Sequence, residues 1–249
     1  MRKFFATVLF LLTFFGALPS YAFQFEPITV DFTPTGENAT RSFLVSNEGK
    51  KSIAIQITVM TRDVDLDGNE NREEVEDFIV YPSQLILLPD DEETIRVSWA
   101  GSPTPSKELA YRIIGEQLPI FVEEDAPTDK STGKFNIAMR YVGAIYVVPD
   151  GVEADVVIDS ASLLQEDGGA EALEIVFHNK GTAHKLLKGI TLEVSSKGLD
   201  GKGESIQLTA EDIPDMPLTD LLAGFKRRFV VDWPENIAKG DVEVTLISE

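Results

Sequence analysis

The sequence predicts an all-β protein of two consecutive β-sandwiches, and three observations carry that expectation. Helical periodicity is scarce along all 249 residues. Short runs rich in Val, Ile, Phe, Tyr and Thr recur instead, separated by turn residues, which is how strands read. An Asn-x-Gly segment, Asn47-Glu48-Gly49, ends a strand in the first half and has a counterpart in Asn179-Lys180-Gly181 in the second. Asn and Gly tolerate the left-handed backbone of a tight turn, so this weak repeat places the same hairpin in both halves.

Ahead of the strands, Arg2 and Lys3 precede an apolar segment from Phe4 to Phe15, and Ser20-Tyr21-Ala22 supplies a small-x-small cleavage site. Residues 1–22 therefore read as a secretory signal peptide. The apolar segment falls short of the roughly 18 residues of a membrane span, and no later window approaches that length, so export without membrane insertion is expected. With no cysteine in the chain, an exported protein of this size must be held by hydrophobic cores alone, and its length permits two of them. The 42 acidic residues outnumber the 22 basic ones for a net charge of -20. That balance argues against nucleic acid or anionic lipid as a partner and leaves solubility or the steering of a basic partner as its role.

The first series of strands is expected at residues 24–32, 41–46, 53–61, 78–88, 94–99, 111–117 and 135–148. This is the strand count of an immunoglobulin-like sandwich and assigns residues 23–149 to a first domain. Pro149-Asp150-Gly151 then punctuates the chain, and residues 150–249 hold a second series at 155–164, 173–179, 190–196, 205–210, 225–231 and 242–247. Residues 123–134 carry Pro, Asp, Ser, Thr and Gly without periodicity. They are expected to leave the leading edge of the next strand mobile when unoccupied.

That next strand is unusual. Phe135, Ile137, Met139 and Tyr141 alternate on one face, with Asn136, Ala138 and Arg140 on the other; beyond Val142 both faces turn apolar. The second half is expected inside a sandwich, while the first presents an apolar row along a sheet edge, a geometry that proteins normally suppress. Such an edge can pair with another chain through main-chain hydrogen bonds while its alternate side chains fill pockets. Three large side chains would contribute about 5 to 9 kcal/mol before the cost of ordering the segment.

Several segments together resemble the periplasmic chaperones of the chaperone-usher pilus pathway, the PapD-like proteins. Tyr81-Pro82-Ser83-Gln84-Leu85, with Leu88-Pro89 and Thr94-Ile95-Arg96-Val97, looks like the family's proline-led fourth strand and the Arg-bearing strand after it. Lys107-Glu108-Leu109-Ala110-Tyr111-Arg112-Ile113, closed by Pro119, is similar to its sixth strand. Leu221-Leu222-Ala223-Gly224-Phe225-Lys226-Arg227 resembles its Leu-x-x-Gly-x-x-Arg stretch. The resemblance implies two immunoglobulin-like domains set at an angle and a periplasmic, non-enzymatic protein without cofactor. It also implies pilin subunits and an outer-membrane usher as partners. The seventh strand would complete the pilin, and counting back from Pro149 the donor residues fall on Phe135, Ile137 and Met139. The family anchors the subunit's terminal carboxylate with an Arg on the first strand and a Lys on the seventh. Here the first-strand region, Ile28-Thr29-Val30-Asp31-Phe32, has no basic residue, and the Lys position is Ala144. A carboxylate prefers a fixed guanidinium fork, and the candidates are Arg112 and Arg140.

Asp63, Asp65, Asp67, Gly68 and Glu74 fit a calcium-loop pattern, in which alternate carboxylates converge on one ion. The flanks read as strands, however, and Glu70 stands where an apolar residue is usual, so a solvated acidic hairpin is the competing expectation. His178 and His184 lack a third ligand for zinc and are expected on the hairpin surface. No Gly-x-Ser-x-Gly elbow and no phosphate-cradling glycine loop is present. The alternatives to a chaperone are thus a secreted sandwich adhesin or pilus structural subunit, and a calcium-dependent binding module. Self-association of the free protein to cover its edge stays open.

Overall fold

The computed structural model describes residues 23–119, 138–165, 169, 171–196 and 204–248. The expected signal peptide, Phe135 and Ile137 lie outside the described residues.

The first sandwich comprises β1 (Phe23–Glu26), β2 (Thr29–Phe32), β3 (Thr40–Asn47), β4 (Ile53–Thr61), β5 (Asp63–Val64), β6 (Glu70–Asn71), β7 (Phe78–Tyr81), β8 (Gln84–Leu87), β9 (Asp91–Trp99), β10 (Leu109–Leu118) and β11 (Arg140–Val147). One sheet has the order β1-β3-β9-β7, the facing sheet β2-β11-β10-β4-β8, and β5 and β6 form a separate hairpin. Strict alternation in β4 sends Ile53, Ile55, Ile57 and Val59 inward. They meet Phe25, Phe43, Ile95, Ile113 and Ile145 in a continuous core.

Two expected strands are each broken in two. The run 24–32 divides at Pro27, so that β1 pairs with β3 in one sheet and β2 pairs with β11 in the other. The run 78–88 divides around Pro82, with β7 on β9 and β8 on β4. A proline has no amide hydrogen to give to a ladder, and at a sheet edge it lets the chain cross between layers. Periodicity alone does not reveal such a crossing.

The second sandwich comprises β12 (Val156–Gln165), β13 (Glu171–Asn179), β14 (Lys185–Leu186), β15 (Thr191–Ser196), β16 (Ser205–Thr209), β17 (Asp220–Leu221), β18 (Lys226–Asp232) and β19 (Val242–Ser248). Its sheets run β12-β13-β18 and β16-β15-β19, with a short β14-β17 pair. Leu173, Ile175, Phe177, Leu192, Val194 and Phe229 are among the residues that fill its core.

The repeated turn is present, but it is not the expected hairpin: β3 and β4 lie in different sheets, as do β13 and β14, so each Asn-x-Gly turn carries the chain from one layer to the other. Asn47 and Asn179 are buried. Asn47 Nδ2 donates to the carbonyls of Lys51 and Leu88, and its Oδ1 accepts from the amide of Gly49. Asn179 does the same toward Ala183, Leu221 and Gly181. Gly181 is not left-handed; it is needed for space, since a Cβ there would lie 2.3 Å from the Glu153 carbonyl oxygen.

Candidate binding edge and interdomain cleft

β11 is paired along its whole length on one side only. Its partnership with β10 runs from Arg140 opposite Glu116 to Val147 opposite Leu109. On the other side β2 covers only Ala144 to Val147, because the chain leaves this sheet at Pro27. Among the described residues, nothing pairs with that side of residues 140–143. The amide of Ala144 donates to the Ile28 carbonyl at the end of the covered stretch. With alternate residues pointing the same way, the amides of Val142 and Arg140 project from the open edge. Gly143 permits the approach of Ile28, whose carbonyl oxygen would lie 2.6 Å from a Cβ at that position.

The two faces of this strand separate as the alternation requires. Met139 and Tyr141 are half-buried against the first core. Tyr141 meets Phe23 edge-on at 4.7 Å. Arg140 is exposed on the opposite face. Residues 144–147 are buried on both faces, but a second sandwich layer is not the whole cause. Ile145 and Val147 enter the first core, whereas Ala144 and Tyr146 pack against Leu222 of the second sandwich. The apolar outer face thus belongs to the contact between domains.

Arg112 stands directly across from Ala144. Its guanidinium forks onto one carboxylate, with Nε 3.0 Å from Oε2 of Glu70 and Nη2 bonded to Oε1. Glu70 also accepts from Arg62 Nε at 3.1 Å and from Arg72 Nε at 2.9 Å. Burial pushes its carboxyl up, but hydrogen bonds from Arg112 and Arg72 and the charges of Arg112 and Arg62 bring it down to about 2. Arg62 Nη1 donates to the Tyr146 hydroxyl at 2.7 Å and to Asp220 of the second sandwich at 3.3 Å. The Tyr146 hydroxyl in turn donates to Asp220 at 2.8 Å. Burial raises the Tyr146 phenol well above its usual value. A cavity of about 200 Å³ opens beside this cluster, lined among others by Arg62, Arg112, Leu218 and Arg227.

The predicted calcium loop is the tip that delivers Glu70. Its carboxylates diverge rather than converge. Asp65 accepts from the amides of Asp67 and Asn69 and so closes its own turn. Asp67 pairs with Arg228 of β18. Glu74 lies in an isolated bridge with Met60. No group of three or more His, Asp or Glu able to hold a metal occurs among the described residues. Gly68 is left-handed at φ +86, and a Cβ there would strike the Arg227 guanidinium. The Leu66 carbonyl accepts from the Arg228 amide at 2.8 Å, which joins the tip to the edge of β18. The expected solvated hairpin is instead a clasp between domains.

His184 corrects the expectation of a surface histidine. Its ring stacks on Tyr146 at 4.0 Å, and Nδ1 is 2.7 Å from Oε1 of the buried Glu108. The amide of Glu108 donates to the Thr182 carbonyl, and Lys107 Nζ donates to that of Ala223. The segments Lys107-Glu108 and Leu221 to Arg227 therefore line opposite walls of one joint. Sequence reasoning picked out Arg112 but missed Arg62, Glu70, Tyr146 and Asp220. The available signal was a charge at the end of an apolar alternation, Arg62 after Thr61.

The profile of the pili and flagellar-assembly chaperones, PapD N-terminal domain, matches residues 23–153. The chain belongs to the PapD-like pilus-assembly chaperones. No curated protein sequence matches this chaperone. Among solved structures it is similar to the class 5 fimbriae chaperone CfaA at 16% identity and a TM-score of 0.54, over 92% of this chain and 100% of that one. It is similar to the E. coli chaperone DraB at 14% identity and a TM-score of 0.54, over 92% and 96%. It also matches the Salmonella enterica SafA pilin in complex with the SafB chaperone at 16% identity and a TM-score of 0.53, over 93% and 92%. At these identities the likeness shows a shared fold of two β-sandwiches. The family is one of chaperones rather than enzymes.

Proposed function

We propose that the protein is a periplasmic chaperone that binds and stabilises pilin subunits by lending them β11 and the residues before it, and then delivers them to an outer-membrane usher. The observation that carries this reading is the half-paired β11, whose open edge at residues 140–143 continues into the alternating row of Phe135, Ile137 and Met139. An incoming strand gains main-chain hydrogen bonds there, and each donor side chain adds roughly 1.5 to 3 kcal/mol on burial.

The subunit's terminal carboxylate is held by Arg112, assisted by Arg62. Cross-strand partners share a face, so Arg112 occupies the face and level of Ala144, where the resemblance expects a lysine. Arg140 shares that face but lies four residues further along β11, exposed and away from the level of Ala144, and is the weaker candidate. Delivery needs a second surface that stays free while the subunit is bound. Ile79, Tyr81, Ile86 and Leu88 are 60% to 76% exposed and lie on or beside β7 and β8, the sheet edges opposite β1 and β2. Exposed apolar side chains grouped in this way suit a protein partner. Residues 1–22 direct export, and the uncovered edge permits self-association of the free protein.

Co-expression with pilins encoded nearby tests the reading. Wild type is expected to purify from the periplasm as a one-to-one complex, and Ile137→Glu as a folded protein without subunit. If Ile137→Glu keeps the subunit, the donor-strand assignment is wrong.

A further inference from the structure

In this structure the guanidinium fork read above as the subunit's anchor already holds a carboxylate. Glu70 engages Arg112 through both oxygens, and Arg62 binds the same group. Glu70 does not belong to the sheet that carries Arg112. It sits on β6 of the projecting hairpin, whose tip is fastened to the second sandwich through Leu66, Asp67 and Arg228. The hairpin is rooted on β4, where the Thr61 amide donates to the Glu73 carbonyl, but beyond that root it has no strand partner in the Arg112 sheet among the described residues, so its outer part can move while the sheet stays intact. The cavity beside it, about 200 Å³ and walled by Arg62, Arg112, Asp220 and Arg227, is space for a displaced or an incoming group.

We infer that Glu70 is a built-in surrogate for the subunit's terminal carboxylate, occupying the Arg112 fork in the free chaperone and giving it up to the subunit. This rests on the reading of the cleft as the carboxylate anchor. The exchange is one carboxylate for another, so the arginines keep a counter-charge throughout. A bare fork between domains would expose two guanidiniums to any anion; an internal carboxylate admits only a ligand that brings the same charge together with the contacts of a paired strand. The surrogate thus sets specificity by raising the threshold for small anions. The joint feels the exchange too, because releasing Glu70 frees the hairpin that clasps β18.

Competition of this kind lowers the apparent affinity for an external carboxylate by the fraction of time the fork is open. Titration with N-acetyl-L-phenylalanine and with its amide, followed by the side-chain Nε–Hε signal of Arg112 in the full mature chain, reads it directly. Glu70→Gln is expected to bind the free acid about tenfold more tightly than wild type, with no response to the amide. Asp67→Ala, which loosens the tip and leaves Glu70 charged, should shift affinity in the same direction by less, and covers the case in which Glu70→Gln fails to fold. Equal affinity of the acid for wild type and both variants overturns the surrogate role while leaving the anchor standing. Absence of any Arg112 response in all three proteins overturns both. Subunit capture, tested through Ile137→Glu, is independent of either result.

Discussion

Two titrating residues at the domain joint act in opposite directions of pH. His184 is raised above its ordinary value of 6.5: burial lowers it, but the hydrogen bond and charge of Glu108, with the charges of Asp220 and Asp31, outweigh burial. A raised value means that the protonated form is favoured in the fold, so this contribution is complete below 6.5 and is lost as pH rises through the folded value. Glu70 is depressed from 4.5 to about 2, so its contribution is present above 4.5 and is lost as pH falls toward 2. Thermal unfolding of wild type and His184→Gln should therefore differ most below pH 6.5 and converge at higher pH; a constant gap across the range would mean that His184 acts through its stacking on Tyr146 alone. Neither residue was legible in the sequence as a member of the joint. Glu70 lies in a run of acids that fits a metal loop by spacing, and its arginine partners at 62 and 112 come from other strands. Arg112 was legible because a charge inside the apolar run from Ala110 to Ile114 demands either solvent or a partner, and here it has a partner.

At the scale of elements, the hairpin of β5 and β6 shows how a local motif and its tertiary role diverge. Asp65 and Gly68 make the turn that the calcium pattern describes, but the turn spends its remaining polar groups on β18. Gly68→Val combines left-handed strain, on the order of 1 to 3 kcal/mol, with a collision against Arg227. It is expected to detach the tip, and limited tryptic digestion should then cut at Arg72 faster than in wild type; unchanged protection would show that the clasp does not depend on the turn. The strands themselves were largely readable, since period-two alternation in β4 and β9 reports which face is covered. The crossings at Pro27 and Pro82 were not, because alternation only slips by one residue there, from Phe23 and Phe25 to Val30 and Phe32 and from Phe78 and Val80 to Leu85 and Leu87, and a slip does not say that the hydrogen-bonding partner changes sheet.

For the whole molecule, two sandwiches meet along the outer face of β10 and β11, so the strand that offers its edge is also the strand that the second domain steadies. Ile145 and Val147 bind it to the first core and Ala144 and Tyr146 to the joint, leaving the preceding residues free to pair. The donor row was visible in the sequence as an alternation too apolar for a surface strand. What the sequence could not show was where along β11 the second neighbour stops, because that depends on β2 being cut short at Pro27. The account stands or falls on that boundary. Backbone amide exchange at Val142, measured in the free chaperone and in its purified complex with a pilin subunit, tests it most directly. Fast exchange when free and strong protection in the complex is the expected result; a stable complex in which Val142 exchanges as fast as in the free protein would contradict it.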